Sequence, residues 1–70
     1  MSSLFYMTRT EYTDLIRSAV TAYFDGGRGT PSKRLSSFLW HLSIHPRSTL
    51  AAAIRAAIEA EKAAGRVPAR

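Results

Sequence analysis

Apolar residues return along this chain at steps of three and four, interrupted twice by short stretches marked by glycine or proline. From Tyr12 the series runs Leu15, Ile16, Ala19, Val20 and Tyr23, with Phe24 at its edge and Asp14, Arg17, Ser18 and Thr21 on the opposite side. That period lays one apolar stripe along a 3.6-residue helix. Thr8-Arg9-Thr10-Glu11 stands before it in a capping-box pattern, with Met7 and Tyr12 at the positions of a hydrophobic staple. Gly26-Gly27 supplies the stop, because glycine enters the left-handed conformation that a helix end often needs. The spacing predicts a first helix over 8–25.

Leu35, Phe38, Leu39 and Leu42 form a second stripe. Thr30-Pro31 opens it as an N-cap followed by proline in the first turn, where a missing amide proton costs nothing. Pro46 disfavours helical geometry at His45, so the second helix is expected over 31–43. Leu50, Ile54, Ala57 and Ile58 make the third stripe, rich in alanine, with Gly65 and Pro68 past its end. This predicts a helix over 47–64. Together the stripes predict an all-α fold, a small three-helix bundle in a single domain spanning 1–70. The expected core is Leu15, Ile16, Ala19, Val20, Tyr23, Leu35, Phe38, Leu39, Leu42, Leu50, Ile54 and Ile58. Leu4-Phe5-Tyr6-Met7 is too bulky to sit in water without cost, and is expected to pack as an extended segment over the first helix or to pair with a second chain. Residues 65–70 are expected to fray.

Composition narrows the class. The chain has 70 residues and no cysteine, so neither a disulfide nor a thiolate-bound metal holds the fold. A core this thin leads us to expect a homodimer or a chain stabilised by a partner. The longest apolar runs, Leu4-Phe5-Tyr6-Met7 and Ala51-Ala52-Ala53-Ile54, fall far short of the roughly 20 residues that cross a bilayer. No secretion-signal pattern opens the chain, and a cytoplasmic protein without membrane attachment is expected. Heavy use of Arg and Ala is compatible with a GC-rich bacterium or its phages and plasmids.

Charge changes the picture more than composition does. Residues 1–25 carry Arg9 and Arg17 against Glu11, Asp14 and Asp25, a sum of −1. Residues 26–58 carry Arg28, Lys33, Arg34, Arg47 and Arg55 and no acid, a sum of +5. Residues 59–70 carry Lys62, Arg66 and Arg70 against Glu59 and Glu61, a sum of +1. A concentrated basic surface is the footprint of nucleic-acid binding, because neutralising phosphates releases counterions; it can also simply keep a protein soluble. The stretch from Leu42 to Leu50 lies between two apolar helices and has a helix-turn-helix look, with Arg47, Ser48, Thr49 and Arg55 toward a groove or its phosphates. Ser43 replaces the usual turn glycine, the turn is one residue long for the motif, and alanines beyond Thr49 offer few groups for reading bases.

Two further features lie off the core stripes. At about 100° per residue from Leu35, Trp40 falls near about 140°, beside Lys33 at about 160° and away from the apolar face. An off-stripe tryptophan is typical of interfaces; it could equally stack on a base or lie under the N-terminal segment. Ala52, Ala56, Ala60 and Ala63 share the back of the third helix, where small side chains allow close approach of a partner helix.

Other chemistry finds little footing. His41 and His45 are four apart, but Pro46 places His45 in a turn and no third ligand is near in sequence, so no metal is expected. Gly26 to Lys33 lacks the glycine before lysine and the preceding strand of a phosphate loop, although Arg28 and Lys33 could help the helix start hold an anion. Scattered acids and no cysteine predict neither an enzyme nor a bound cofactor. Two functions remain. One is a small basic nucleic-acid-binding regulatory module using Arg28, Lys33, Arg34, Arg47, Ser48, Thr49 and Arg55. The other is a protein-binding inhibitor or adaptor of phage or plasmid type, docking on a larger host protein complex through Trp40 and the face of Ala52, Ala56, Ala60 and Ala63.

Overall fold

Thr8 starts the first helix as its sequence dictates. Its hydroxyl accepts from the Glu11 amide at 3.1 Å and its own amide donates to the Glu11 carboxylate at 3.0 Å. The amide bond from Thr8, with the Thr8 side chain second, holds the Glu11 carboxyl below its ordinary value. The computed structural model describes residues 7–69 and shows a small all-α three-helix bundle: α1 (Arg9–Phe24), α2 (Pro31–His41) and α3 (Thr49–Ala63). The expected packing of the extended N-terminal segment concerns Leu4-Phe5-Tyr6-Met7, of which only Met7 lies within the described residues. Helix α1 is the hub and packs on both α2 and α3. The fully enclosed core is Ala19, Val20, Phe24, Leu39, Ile44, Ala51, Ile54 and Ile58. Leu15, Ile16, Tyr23, Leu35, Phe38 and Leu50 flank it.

The core differs from expectation at Leu42, Ile44 and Phe24, with Ala51 also buried beside Leu50, and one device explains the largest difference. Leu42, expected inside, is 44% exposed, while Ile44 is 5% exposed. Helix α2 stops at His41 instead of 43, with Leu42 as its C-cap. Ser43 then takes φ 56°, the left-handed region. The Ser43 amide reaches the Trp40 carbonyl at 3.1 Å and the Ile44 amide reaches that of Leu39 at 2.8 Å. This is a Schellman cap, and its usual hydrophobic contact brings the residue after the left-handed one onto the last turn. Ile44 and Leu39 are both buried as a result. Phe24, assigned to the stripe's edge, is enclosed because the chain folds back over the end of α1.

That end is closed from a distance. The carbonyls of Ala22, Tyr23 and Phe24 have no partner within their own helix, and α1 has no basic residue in its last turn. Arg34, in the first turn of α2, supplies both bonds and charge. Its Nε donates to the Ala22 carbonyl at 2.9 Å and its Nη2 to Tyr23 at 2.8 Å. Nη1 donates to the Gly29 carbonyl at 2.9 Å, and Nη2 also reaches the Ala69 carbonyl at 2.9 Å. The Ala69 amide completes the set by donating to Phe24 at 2.8 Å. A Cβ at Gly27 would sit 3.3 Å from the Arg34 side chain, so the glycine joint both turns the chain and makes room for the guanidinium.

Residues 66–69, expected to fray, are therefore tied down. Arg66 spans the Asp25 and Glu61 carboxylates, each at 2.9 Å, and lies 4.6 Å from the centre of the Phe24 ring. Helix α3 ends in its own Schellman bonds, Gly65 to Lys62 and Arg66 to Glu61.

Replacing Arg34 with Ala should cost about 2–4 kcal/mol, since charged donors contribute roughly 1.5–3 kcal/mol each and do not add. Arg34→Lys should lose most of the same stability, because an ammonium cannot match the fork of carbonyls; urea melts measure both. Ser43→Gly should do the opposite. Relieving a left-handed non-glycine offsets glycine's larger unfolded entropy, for a gain of about 0.5–1 kcal/mol, visible as a melting point a few degrees higher.

Candidate nucleic-acid interface

The basic residues of 26–58 fall into two groups. At the start of α2, Thr30 accepts from the Lys33 amide at 3.2 Å and Pro31 takes the first turn. This sets Lys33 outward beside Arg28, and both line a shallow groove with Gly29, Arg34 and Ser37. Arg34 shares that groove by position only. Four of its five N–H groups are directed at carbonyls. Its donors are engaged in holding α1 to α2, which leaves one N–H group for any other acceptor.

The second group sits at the turn before α3. The Arg47 amide donates to His45 Nδ1 at 3.0 Å, and the Ser48 amide and hydroxyl both donate to the His45 carbonyl, at 3.0 and 2.7 Å. Ser48 Oγ also accepts from the Ala51 amide at 3.1 Å, making Ser48 the N-cap of α3. Its hydroxyl is thus engaged in capping α3. Arg47 and Thr49 point into solvent. Arg55, two turns along α3, returns one Nη1 bond to the Pro46 carbonyl at 2.9 Å.

The connection between α2 and α3 runs over 42–48, seven residues. A helix-turn-helix uses three or four. The early stop of α2 at Leu42 and the late start of α3 at Ser48 lengthen the turn beyond the sequence expectation, so α3 lacks the close coupling to α2 of a recognition helix.

Acids and bases are unevenly distributed. Asp14 faces Arg17 at 3.9 Å, Glu59 pairs with Lys62 at 3.2 Å, and Asp25 and Glu61 share Arg66. Glu11 is held in its cap. All five carboxylates of the chain are occupied on α1, just after it, or late on α3. Among the described residues Arg28, Lys33, Arg47 and Arg55 have no carboxylate partner.

The off-stripe residues are where helix arithmetic places them. Trp40 is 77% exposed. It contributes to two shallow recesses, one with His41, Ser43 and His45, the other with Ser36, Leu39 and Pro46. His41 meets its ring edge-on with centroids 5.4 Å apart. Ala52, Ala56, Ala60 and Ala63 are all exposed on the outer side of α3. His41 and His45 find no third ligand: among the described residues no three His, Asp or Glu side chains gather. No helix is long and apolar enough to cross a membrane among the described residues. The chain matches no protein-family model, and neither a curated protein nor a solved structure is significantly similar to it.

His45 shapes this surface by mimicking the acceptor of an Asx turn ahead of the α3 cap. His45→Asn keeps an acceptor there and should leave stability nearly unchanged, whereas His45→Ala should cost about 1 kcal/mol in a thermal or urea melt.

Proposed function

We propose that this chain is a small basic nucleic-acid-binding module, of regulatory size, that holds phosphates through Arg28, Lys33, Arg47 and Arg55. The observation that carries the reading is the separation of charge. Every acid is engaged on α1, at its end or late on α3, while the cations at the start of α2 and at the turn before α3 face water with no carboxylate against them. A solvated surface that served only solubility would gain nothing from excluding acids over a continuous 33-residue stretch, since mixed signs serve as well. Exclusion is what an anionic polymer requires, because each nearby carboxylate would repel it. Thr49 stays as a neutral contact at the same end, and Arg34 and Ser48 support the scaffold.

A docking role on a larger host protein draws on a different observation, the exposure of Trp40 and Leu42 together with the bare alanine face of α3. The two readings part on salt. A phosphate-binding surface gives an affinity for DNA or RNA that falls steeply between about 50 and 200 mM salt.

The double replacement Arg47→Ala, Arg55→Ala should weaken binding to all sequences alike and lower the slope of log affinity against log salt by about 2, near one unit per lost phosphate contact. Lys33→Ala should lower it by about 1. Fluorescence anisotropy on labelled oligonucleotides reads both. Unchanged affinity and slope would remove these residues from the interface.

A further inference from the structure

Trp40 lies on the same helix as Lys33 of one cationic group and shares a recess with Pro46, whose carbonyl holds Arg55 of the other. It follows Lys33 by seven residues on α2, two turns, which puts both on one side of the helix about 10 Å apart along the axis. Ser37, between them, lines the groove of Arg28 and Lys33. On its other side Trp40 faces Pro46 across a recess, and the Pro46 carbonyl holds Arg55. The indole is therefore a large, mostly exposed aromatic surface with cations before and after it, braced at its edge by His41.

We infer that Trp40 stacks on an unpaired nucleobase and that the ligand of this surface is a single-stranded nucleic acid. The inference rests on the nucleic-acid reading above and narrows it to one substrate class. An aromatic platform interleaved with cations is what a single strand needs: the cations follow its phosphates, and every base offers a face to the ring. Duplex bases already stack on one another, so an exposed indole gains little there except at an end. The long α2–α3 connection and the alanines following Thr49 argue in the same direction. They leave few donors and acceptors for reading base edges in a groove. Stacking tolerates any sequence, and a single strand bends to reach both cation groups.

The test uses the full chain, its single tryptophan as reporter, and three labelled probes of equal length, about twelve nucleotides. These are oligothymidylate, a duplex, and an abasic deoxyribose-phosphate oligomer that carries the charge without the bases. Oligothymidylate should quench Trp40 and bind roughly ten-fold or more tighter than the abasic oligomer, the size expected from one stacked base. Trp40→Ala should remove that advantage and leave abasic binding unchanged, while Trp40→Phe retains part of it. Because the side chain is largely outside the core, the melting curve of Trp40→Ala verifies that the fold is intact. Equal binding of oligothymidylate and abasic oligomer, indifferent to Trp40, would overturn stacking and leave the phosphate reading standing. Tighter binding of the duplex with no change in Trp40 fluorescence would overturn the single-strand assignment. No binding of any probe at about 50 mM salt would overturn both, and a protein partner would then claim the tryptophan.

Discussion

The structure depends on one guanidinium. A helix leaves its last carbonyls without partners, and the two glycines that follow the Asp25 cap of α1 offer no side chain to help. Arg34 answers from the next helix. Its fork bonds Ala22 and Tyr23 of α1, Gly29 of the joint and Ala69 of the C-terminal segment, so three separate pieces of chain meet at one planar group. The positive charge also lies against the negative end of the helix dipole. A chain this small has little core to fall back on. Fixing the α1–α2 joint and folding the C-terminal segment over Phe24 encloses an aromatic side chain that would otherwise stand at an open end.

Ser43 plays the corresponding part at the other end of α2. By accepting a left-handed conformation it turns the chain sharply enough for Ile44 to enter the core. The same turn holds Leu42 half outside and leaves Trp40 on the last turn of a helix that ends one residue later. The exposure of the tryptophan is therefore no loose end of packing. The seven-residue spacing within α2 puts Trp40 on the side of Lys33, and the cap that buries Ile44 ends the helix just past it.

How far the sequence discloses this depends on how local each interaction is. The Thr8–Glu11 box, the Thr30-Pro31 start and most of each helix's stripe involve neighbours within a turn, and these stand where the pattern predicts. Trp40 was legible for the same reason, since its direction follows from helix angle alone. Leu42 and Ile44 were not, because an apolar residue at the right period carries no sign of a cap that ends the helix before its stripe is complete. Arg34 was the least legible. Its acceptors are backbone carbonyls five to 35 residues away, which carry no sequence identity, so a charge map counts it as one more free cation. Ser48 carries the same ambiguity: Ser-Thr before an apolar helix fits an N-cap and a base contact equally well, and the structure shows the cap.

The carbonyl bonds of Arg34 occupy its donors without reducing its charge. A guanidinium bonded to neutral carbonyls remains fully cationic, and its field reaches the adjoining groove of Arg28 and Lys33 well within a Debye length of about 8 Å. Donor geometry and field are thus separate contributions. Arg34 has its donors turned inward and can bring an anion closer without gripping it, whereas Arg28 and Lys33 can do both. The stretch from 26 to 58 keeps its full +5 for attraction over distance, while direct contacts fall to the cations with free donors. On the proposed single-strand reading, attraction is spread over the whole stretch, and the exposed indole of Trp40 is the surface that tells a strand with exposed bases from any other polyanion.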